Sequence, residues 1–156
     1  LSGNMTLQMV RTDVAELVEY IKQHMTPVAQ RSKISFSVEY PGQLPQLVLD
    51  INRIKQVLIN VLDNAFKFTR QGGRVRFAAY EAEGYLIMEV EDNGCGISPQ
   101  ELPYVKEKFY RGKNSKSSSG IGLSVAYEII KRHGGELDIE SSPGQGTKVY
   151  IKLPIV

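Results

Sequence analysis

Asn60, Asn64 and Lys67 recur at i, i+4 and i+7, so they share one face of any helix that carries them. Asparagine is a mediocre helix former, and two on one face ask for a reason. One reason is chemical. An amide oxygen is a hard, neutral ligand suited to Mg2+, which keeps waters and draws its other ligands from phosphates. A lysine one turn on can pair with the same phosphates. The other reading is a solvated polar face. A second group is Asp92-Asn93-Gly94-Cys95-Gly96. Period-two alternation through Leu86, Met88 and Val90 turns Asp92 to the same side as those apolar residues. An inward carboxylate is costly unless partnered. It either caps its own turn or accepts from a buried ligand amine such as that of adenine, with Gly94 and Gly96 admitting a flat ring. Third, Ser118-Ser119-Gly120-Ile121-Gly122 runs into a helix. Exposed N–H groups at a helix start favour an anion, although a hinge would look the same. Fourth, residues 106–116 carry Lys106, Lys108, Arg111, Lys113 and Lys116 against Glu107, with Phe109 and Tyr110 among them. That pattern suits a lid with a hydrophobic anchor, and the alternative is a solvated charge run.

These groups need a scaffold. Thr6–Val10 alternates weakly, as an edge strand would. Asp13 is placed to cap a helix carrying Val14, Leu17, Val18, Ile21 and Met25, ending between Pro27 and Arg31. Ile34, Phe36 and Val38 alternate as a strand that Pro41-Gly42 breaks. After the short apolar run Leu47–Leu49, Asp50 opens the strongest helix, with Ile51, Ile54, Val57, Leu58, Val61, Leu62 and Ala65 in one stripe. Gln71-Gly72-Gly73 ends it. Strands around Val75–Ala79 and Leu86–Asp92 follow, joined by a turn near Ala82–Gly84. Pro99 opens a short helix, and residues 106–119 form a long loop of the kind that is usually functional. Ile121, Val125, Ile129 and Ile130 mark a third long helix, stopped by Gly134-Gly135. Two last strands, Glu136–Glu140 and Thr147–Leu153, flank the turn at Pro143-Gly144. About five principal strands and three longer helices result. Short turns require antiparallel pairing. The expected fold is α+β, a two-layer α/β sandwich with helices on one face of a mixed, mostly antiparallel sheet.

Composition narrows the function classes. The 156 residues are 42% hydrophobic, which excludes a disordered chain and amounts to one domain, expected over 6–156 with residues 1–5 as a stub of an upstream segment. Nineteen basic against 17 acidic side chains leave a net charge of +2, so nucleic acid is not an expected partner. One cysteine excludes an internal disulfide framework and fits a reducing compartment; Cys95 reads as a reduced, small apolar filler. No apolar run is long enough to span a membrane, and no export signal is visible.

The order of the four groups is more specific than any one of them. Over about residues 6–154 the chain resembles the ATP-binding catalytic (HATPase_c) domain of bacterial two-component sensor histidine kinases, in the GHKL superfamily. Gln56–Thr69 resembles the N box, Asp92–Ile97 the G1 box, Lys108–Gly112 the F box and Gly120–Leu123 the G2 box. His133-Gly134-Gly135 and Gly144–Thr147 resemble the closing strand motifs. The resemblance implies the Bergerat fold, with ATP between the N-box helix and the lid. It implies Mg2+ on Asn64, phosphates supported by Asn60 and Lys67, and the adenine amine on Asp92. Gly94, Gly96, Ile97 and Thr147 would line the nucleotide. Tyr110 and Arg111 would belong to the lid, and Gly120, Ile121, Gly122 and Leu123 would open the phosphate-side helix. Ser118 stands where the family's G2 box usually has a further glycine, which bears on lid geometry.

Related superfamily ATPases carry a water-activating Glu at the position of Asn60, and an amide cannot serve as general base. The resemblance therefore implies transfer of the γ-phosphoryl group to a histidine rather than hydrolysis. That histidine would sit on an upstream dimerisation domain, for relay to a response regulator receiver domain. His24 and His133 lack the acceptor's flanking pattern and read as structural or surface residues. The isolated domain is expected to be monomeric and cytoplasmic, as in family members whose parent protein is membrane-anchored. Two alternatives remain at this point: a serine kinase of the anti-sigma-factor type, and a nucleotide-binding scaffold module.

Overall fold

The computed structural model describes residues 6–96 and 123–155, together with residues 100 and 103. Seven strands and three long helices lie in these residues: β1 (Val10–Asp13), α1 (Val14–Ser32), β2 (Ser35–Glu39), β3 (Gln46–Leu49), α2 (Ile51–Phe68), β4 (Arg74–Ala82), β5 (Tyr85–Asp92), α3 (Leu123–Arg132), β6 (Glu136–Ser142) and β7 (Gly146–Pro154). The main sheet has the order β2-β4-β5-β7-β6, parallel between β2 and β4 and antiparallel elsewhere. The three helices pack on it, giving the expected α+β sandwich.

The helices start where their caps dictate. The Asp13 carboxylate accepts from the Ala15 N–H at 3.0 Å, and Asp50 accepts from the Arg53 N–H at 3.2 Å. The apolar stripe of α2 is buried from Ile54 to Phe66. Glu83 and Gly84, at φ 53° and 82°, turn β4 into β5 with the left-handed pair that suits a tight hairpin.

Several expectations shift. The first strand runs over Val10–Asp13, not Thr6–Val10, because it pairs with the short run at Gln46–Leu49 in a separate two-stranded sheet. That second sheet raises the strand count above five. Helix α1 continues through Pro27 to Ser32 and ends on Lys33 in the left-handed conformation. Strand β5 does not alternate cleanly, because Ile87 and Glu89 are buried as well as Leu86, Met88 and Val90. Cys95 is exposed, so it is not an apolar filler: its turn lies at the surface. The short helix expected after Pro99 and the loop at 106–119 lie outside the described residues. No helix among the described residues is long and apolar enough to cross a membrane.

Candidate functional site

The helix-facing side of the sheet is built in rows across the strands. One row reads Val38–Phe77–Val90–Val149–Ile139 and is apolar throughout. The next row toward the sheet's end reads Phe36–Val75–Asp92–Thr147–Ser141. Three neighbouring strands thus turn from apolar to polar at the same row. Asp92 and Ser141 both stand directly opposite Thr147, so the three side chains share one face.

Asp92 is only 8% exposed. Its Oδ1 accepts from the Gly94 N–H at 2.8 Å, and the carboxylate also accepts from the backbone N–H of Thr147. Burial pushes its carboxyl above the ordinary aspartate value, and the nearby charge of Glu91 adds to the rise. The two N–H groups pull the other way and do not cancel it. Among the described residues no cation pairs with this carboxylate, and held by backbone donors it keeps accepting capacity for a ligand's donor. Beside it, the Ser141 hydroxyl donates to the Gly146 carbonyl at 3.0 Å and lies 2.8 Å from the Thr147 hydroxyl.

The turn after Asp92 is held from both sides. A Cβ at Gly94 would come within 2.4 Å of the Phe68 carbonyl oxygen at the end of α2. A Cβ at Gly96, which sits at φ 75°, would come within 2.0 Å of the Ser142 carbonyl oxygen. The Gly144 N–H also donates to the Cys95 carbonyl at 2.8 Å. The missing side chains at 94 and 96 are therefore demanded by the protein's own backbone before any ligand is considered. The same packing brings the last turn of α2 against the Asp92 turn. Asn60 and Asn64 are half-buried on α2 and Lys67 is exposed one residue before Phe68. The end of the helix that carries Asn60, Asn64 and Lys67 therefore abuts the turn that follows Asp92. Thr147 is half-buried within the row. Leu123 is buried in the core at the start of α3, where its side chain packs. Ile97, Tyr110, Arg111, Gly120, Ile121 and Gly122 lie outside the described residues, as does Ser118.

The histidines behave as the sequence reading expects. His133 is buried; its Nδ1 donates to the Ile129 carbonyl at 2.8 Å and its Nε2 accepts from the Asp50 N–H at 3.0 Å. It is a satisfied core residue joining the end of α3 to the start of α2. His24 is exposed and stacks on Tyr20 at 5.7 Å. Ser141 escaped the sequence reading. Its signal was the alternation Leu137, Ile139, Ser141, which places it inward beside Thr147.

The donor set fits a nucleotide with a divalent ion. Neutral amide oxygens on α2 suit an ion that takes most of its ligands from phosphate and water, and the buried acceptor suits an exocyclic amine. Comparison with known proteins bears on the nucleotide alone. The family model described as histidine kinase-, DNA gyrase B-, and HSP90-like ATPase matches residues 49–156. The alginate biosynthesis sensor protein KinB of Pseudomonas aeruginosa is 32% identical over 154 residues, covering 99% of this chain and 26% of that protein. The chain thus spans about a quarter of that relative's length. Full-length ShkA in complex with AMPPNP matches with a TM-score of 0.83 at 24% identity, over 97% of this chain and 32% of that one. Histidine kinase ThkA in complex with the response regulator protein TrrA matches with a TM-score of 0.81 at 23% identity, over 96% and 42%. At these identities the two structures speak for the fold.

Proposed function

The chain belongs to the histidine kinase-, DNA gyrase B- and HSP90-like ATPase family, and from that membership we propose that residues 6–156 form the ATP- and Mg2+-dependent catalytic domain of a sensor histidine kinase. The observation that carries this reading is the buried Asp92 carboxylate, in one row with Thr147 and against the end of the helix bearing Asn60, Asn64 and Lys67. Asp92 orients the base through its amine. Asn64 holds Mg2+, which when bound supplies charge neutralisation at the phosphates. Asn60 and Lys67 position the phosphates, Gly94, Gly96, Ile97 and Thr147 line the nucleotide, and Gly120, Ile121, Gly122 and Leu123 present the helix start to it. Tyr110 and Arg111 serve the lid.

Catalysis on this reading is positioning and electrostatics. The γ-phosphoryl group passes from ATP to an imidazole nitrogen of an upstream dimerisation domain, leaving ADP, and then to a carboxylate of a response regulator receiver domain. Asn60 is no general base, so water is a poor acceptor. The complexes named for ShkA and ThkA support a nucleotide and a response regulator as partners. The domain is proposed to act in the cytoplasm and to be monomeric alone.

The test is incubation with γ-labelled ATP, alone and with a separately made acceptor domain. Acid-labile label on the acceptor and none on this chain is the expected result. Acid-stable label would point to a serine kinase instead. Mg·ATP binding by calorimetry with no label passed to any acceptor would leave the nucleotide-binding scaffold module. Replacing Asn64 with Ala should remove the Mg2+ dependence of binding while leaving the domain folded.

A further inference from the structure

We infer that Asn93 is a positioning residue that ties the turn after Asp92 to the loop leaving α2, and so sets the spacing between the base contact and the phosphate contacts. The inference rests on the nucleotide reading of the site and adds to it the residue that holds its geometry. Strands β4 and β5 pair antiparallel with Val75 opposite Asp92, which makes Arg74 and Asn93 the next pair. Hydrogen-bonded residues in such a ladder exchange N–H···O bonds in both directions between their main chains. Here the Asn93 N–H donates to the Arg74 carbonyl at 3.2 Å, as the ladder requires. The return bond differs, because the Arg74 N–H donates at 2.7 Å to the side-chain Oδ1 of Asn93. The side chain stands in for the main-chain carbonyl of its own residue, the kind of local competition with regular structure that asparagine is suited to. The pair is closed, and the main chain can turn away at Gly94. Since the Gly94 N–H donates to Asp92 Oδ1 at 2.8 Å, the point of departure also fixes the Asp92 carboxylate.

The Arg74 N–H is a fixed anchor, because the loop between α2 and β4 is pinned along its length. The Thr69 hydroxyl donates to the Ala65 carbonyl in the last turn of α2 at 2.8 Å. The Gly73 N–H donates to the Arg70 carbonyl at 2.9 Å, the Gly72 N–H to the Lys33 carbonyl at 2.8 Å, and the Ser35 N–H to the Gly73 carbonyl at 3.0 Å. The fit around Asn93 is close. A Cβ at Gly73 would stand 2.9 Å from Asn93 Oδ1 and 2.4 Å from Thr69 Cγ2. Glycine at 73 is thus what lets the helix end, the loop and the Asn93 side chain meet. On the nucleotide reading, Asp92 holds the base while Asn60, Asn64 and Lys67 on α2 hold the phosphates and their ion. A ligand that spans both pieces gains most when their spacing is held before it arrives. A ligand that reaches only the Asp92 turn is indifferent to that spacing.

The experiment measures the Kd of Mg·ATP by calorimetry and of adenosine by NMR titration, for the intact chain and for Asn93→Ala and Asn93→Asp, with urea unfolding of each in parallel. Asn93→Ala should weaken Mg·ATP about fivefold, the equivalent of one hydrogen bond, and adenosine by less than about twofold. Asn93→Asp keeps an acceptor at the same place for the Arg74 N–H, and it should restore Mg·ATP binding. A residue that only stabilises the end of β5 would shift the urea midpoint and leave the Mg·ATP affinity alone, and that outcome overturns the inference. Equal losses for adenosine and Mg·ATP overturn it too, because the effect would then belong to the base contact and not to the spacing. So does an Asn93→Asp variant as weak as Asn93→Ala. If Asn93→Ala fails to fold, Gly73→Ala, which crowds Asn93 Oδ1 from the side of the loop, takes its place with the same expected split between the ligands. An intact chain that binds neither ligand sinks the nucleotide reading itself, whereas one that binds both but loses no Mg·ATP affinity in the variant sinks only the role of Asn93.

Discussion

Strand β5 carries two buried carboxylates three residues apart, Glu89 and Asp92, each 8% exposed. They face opposite sides of the sheet and are satisfied in opposite ways. Glu89 accepts from the Tyr80 hydroxyl and pairs with Arg76 at 3.1 Å. Arg76 also reaches Glu39 and Glu91, both at 3.2 Å. That carboxylate is spent within the protein, closing the side of the sheet away from the helices. Asp92 is held by backbone N–H groups and, among the described residues, pairs with no cation. Equal burial therefore conceals different roles. A structural carboxylate is matched by side chains that also need it, while a ligand-ready one is held in place by the backbone and left electrostatically short.

The largest expected difference is in binding. Asp92→Ala should weaken Mg·ATP by about 100-fold in calorimetry, whereas Glu89→Ala should leave the affinity within about twofold. Comparable losses in both variants would erase the distinction. Next comes stability. Glu89→Ala should lower the urea-derived unfolding free energy by about 2 kcal/mol, less than for a fully buried pair because Arg76 is partly exposed and keeps Glu39 and Glu91.

A smaller effect is alkaline. The bond to Glu89, with burial, pushes the Tyr80 phenol up to about 12 from 10.0. A raised folded value means stability that is present below about 10 and lost as pH rises toward about 12. Unfolding measured across that window should show the loss in the intact chain and not in Tyr80→Phe. The smallest effect is acidic. The Asp92 carboxyl is also raised, chiefly by burial, so its contribution is present below about 3.8 and fades as pH rises through its folded value. At neutral pH the ionised group therefore costs the nucleotide-free domain some stability. Asp92→Asn, compared with the intact chain along an acid titration, should lack that decline. An intact chain that gains stability through Asp92 with rising pH would contradict the account.

Much of this was legible in the residues. The helix at α2 announced itself because its apolar stripe has a single period and Asp50 is a good cap, and both survive packing. Asp92 was placed inward by strand alternation alone, and the sheet keeps it there. The first strand was misplaced because its partner at Gln46–Leu49 lies about 35 residues away, and a pairing at that distance leaves no local signal. Period-two alternation puts Glu89 on the side opposite Asp92, and its burial there comes from Arg76 and Tyr80 on the neighbouring strand. The glycines of the Asp92 turn were assigned to a ligand, whereas their closest neighbours are the carbonyls of Phe68 and Ser142.

The sequence by itself determined the periodicities, the caps and the order of the motifs, because each is a property of residues close along the chain. The tertiary structure decided which distant residues share a row. Asp92, Thr147 and Ser141 become one polar edge only when β5, β7 and β6 pair in this register. A slip of one residue would turn that edge to the other face. The local pattern specifies which way each side chain points, and only the ladder of hydrogen bonds between strands specifies what it points beside.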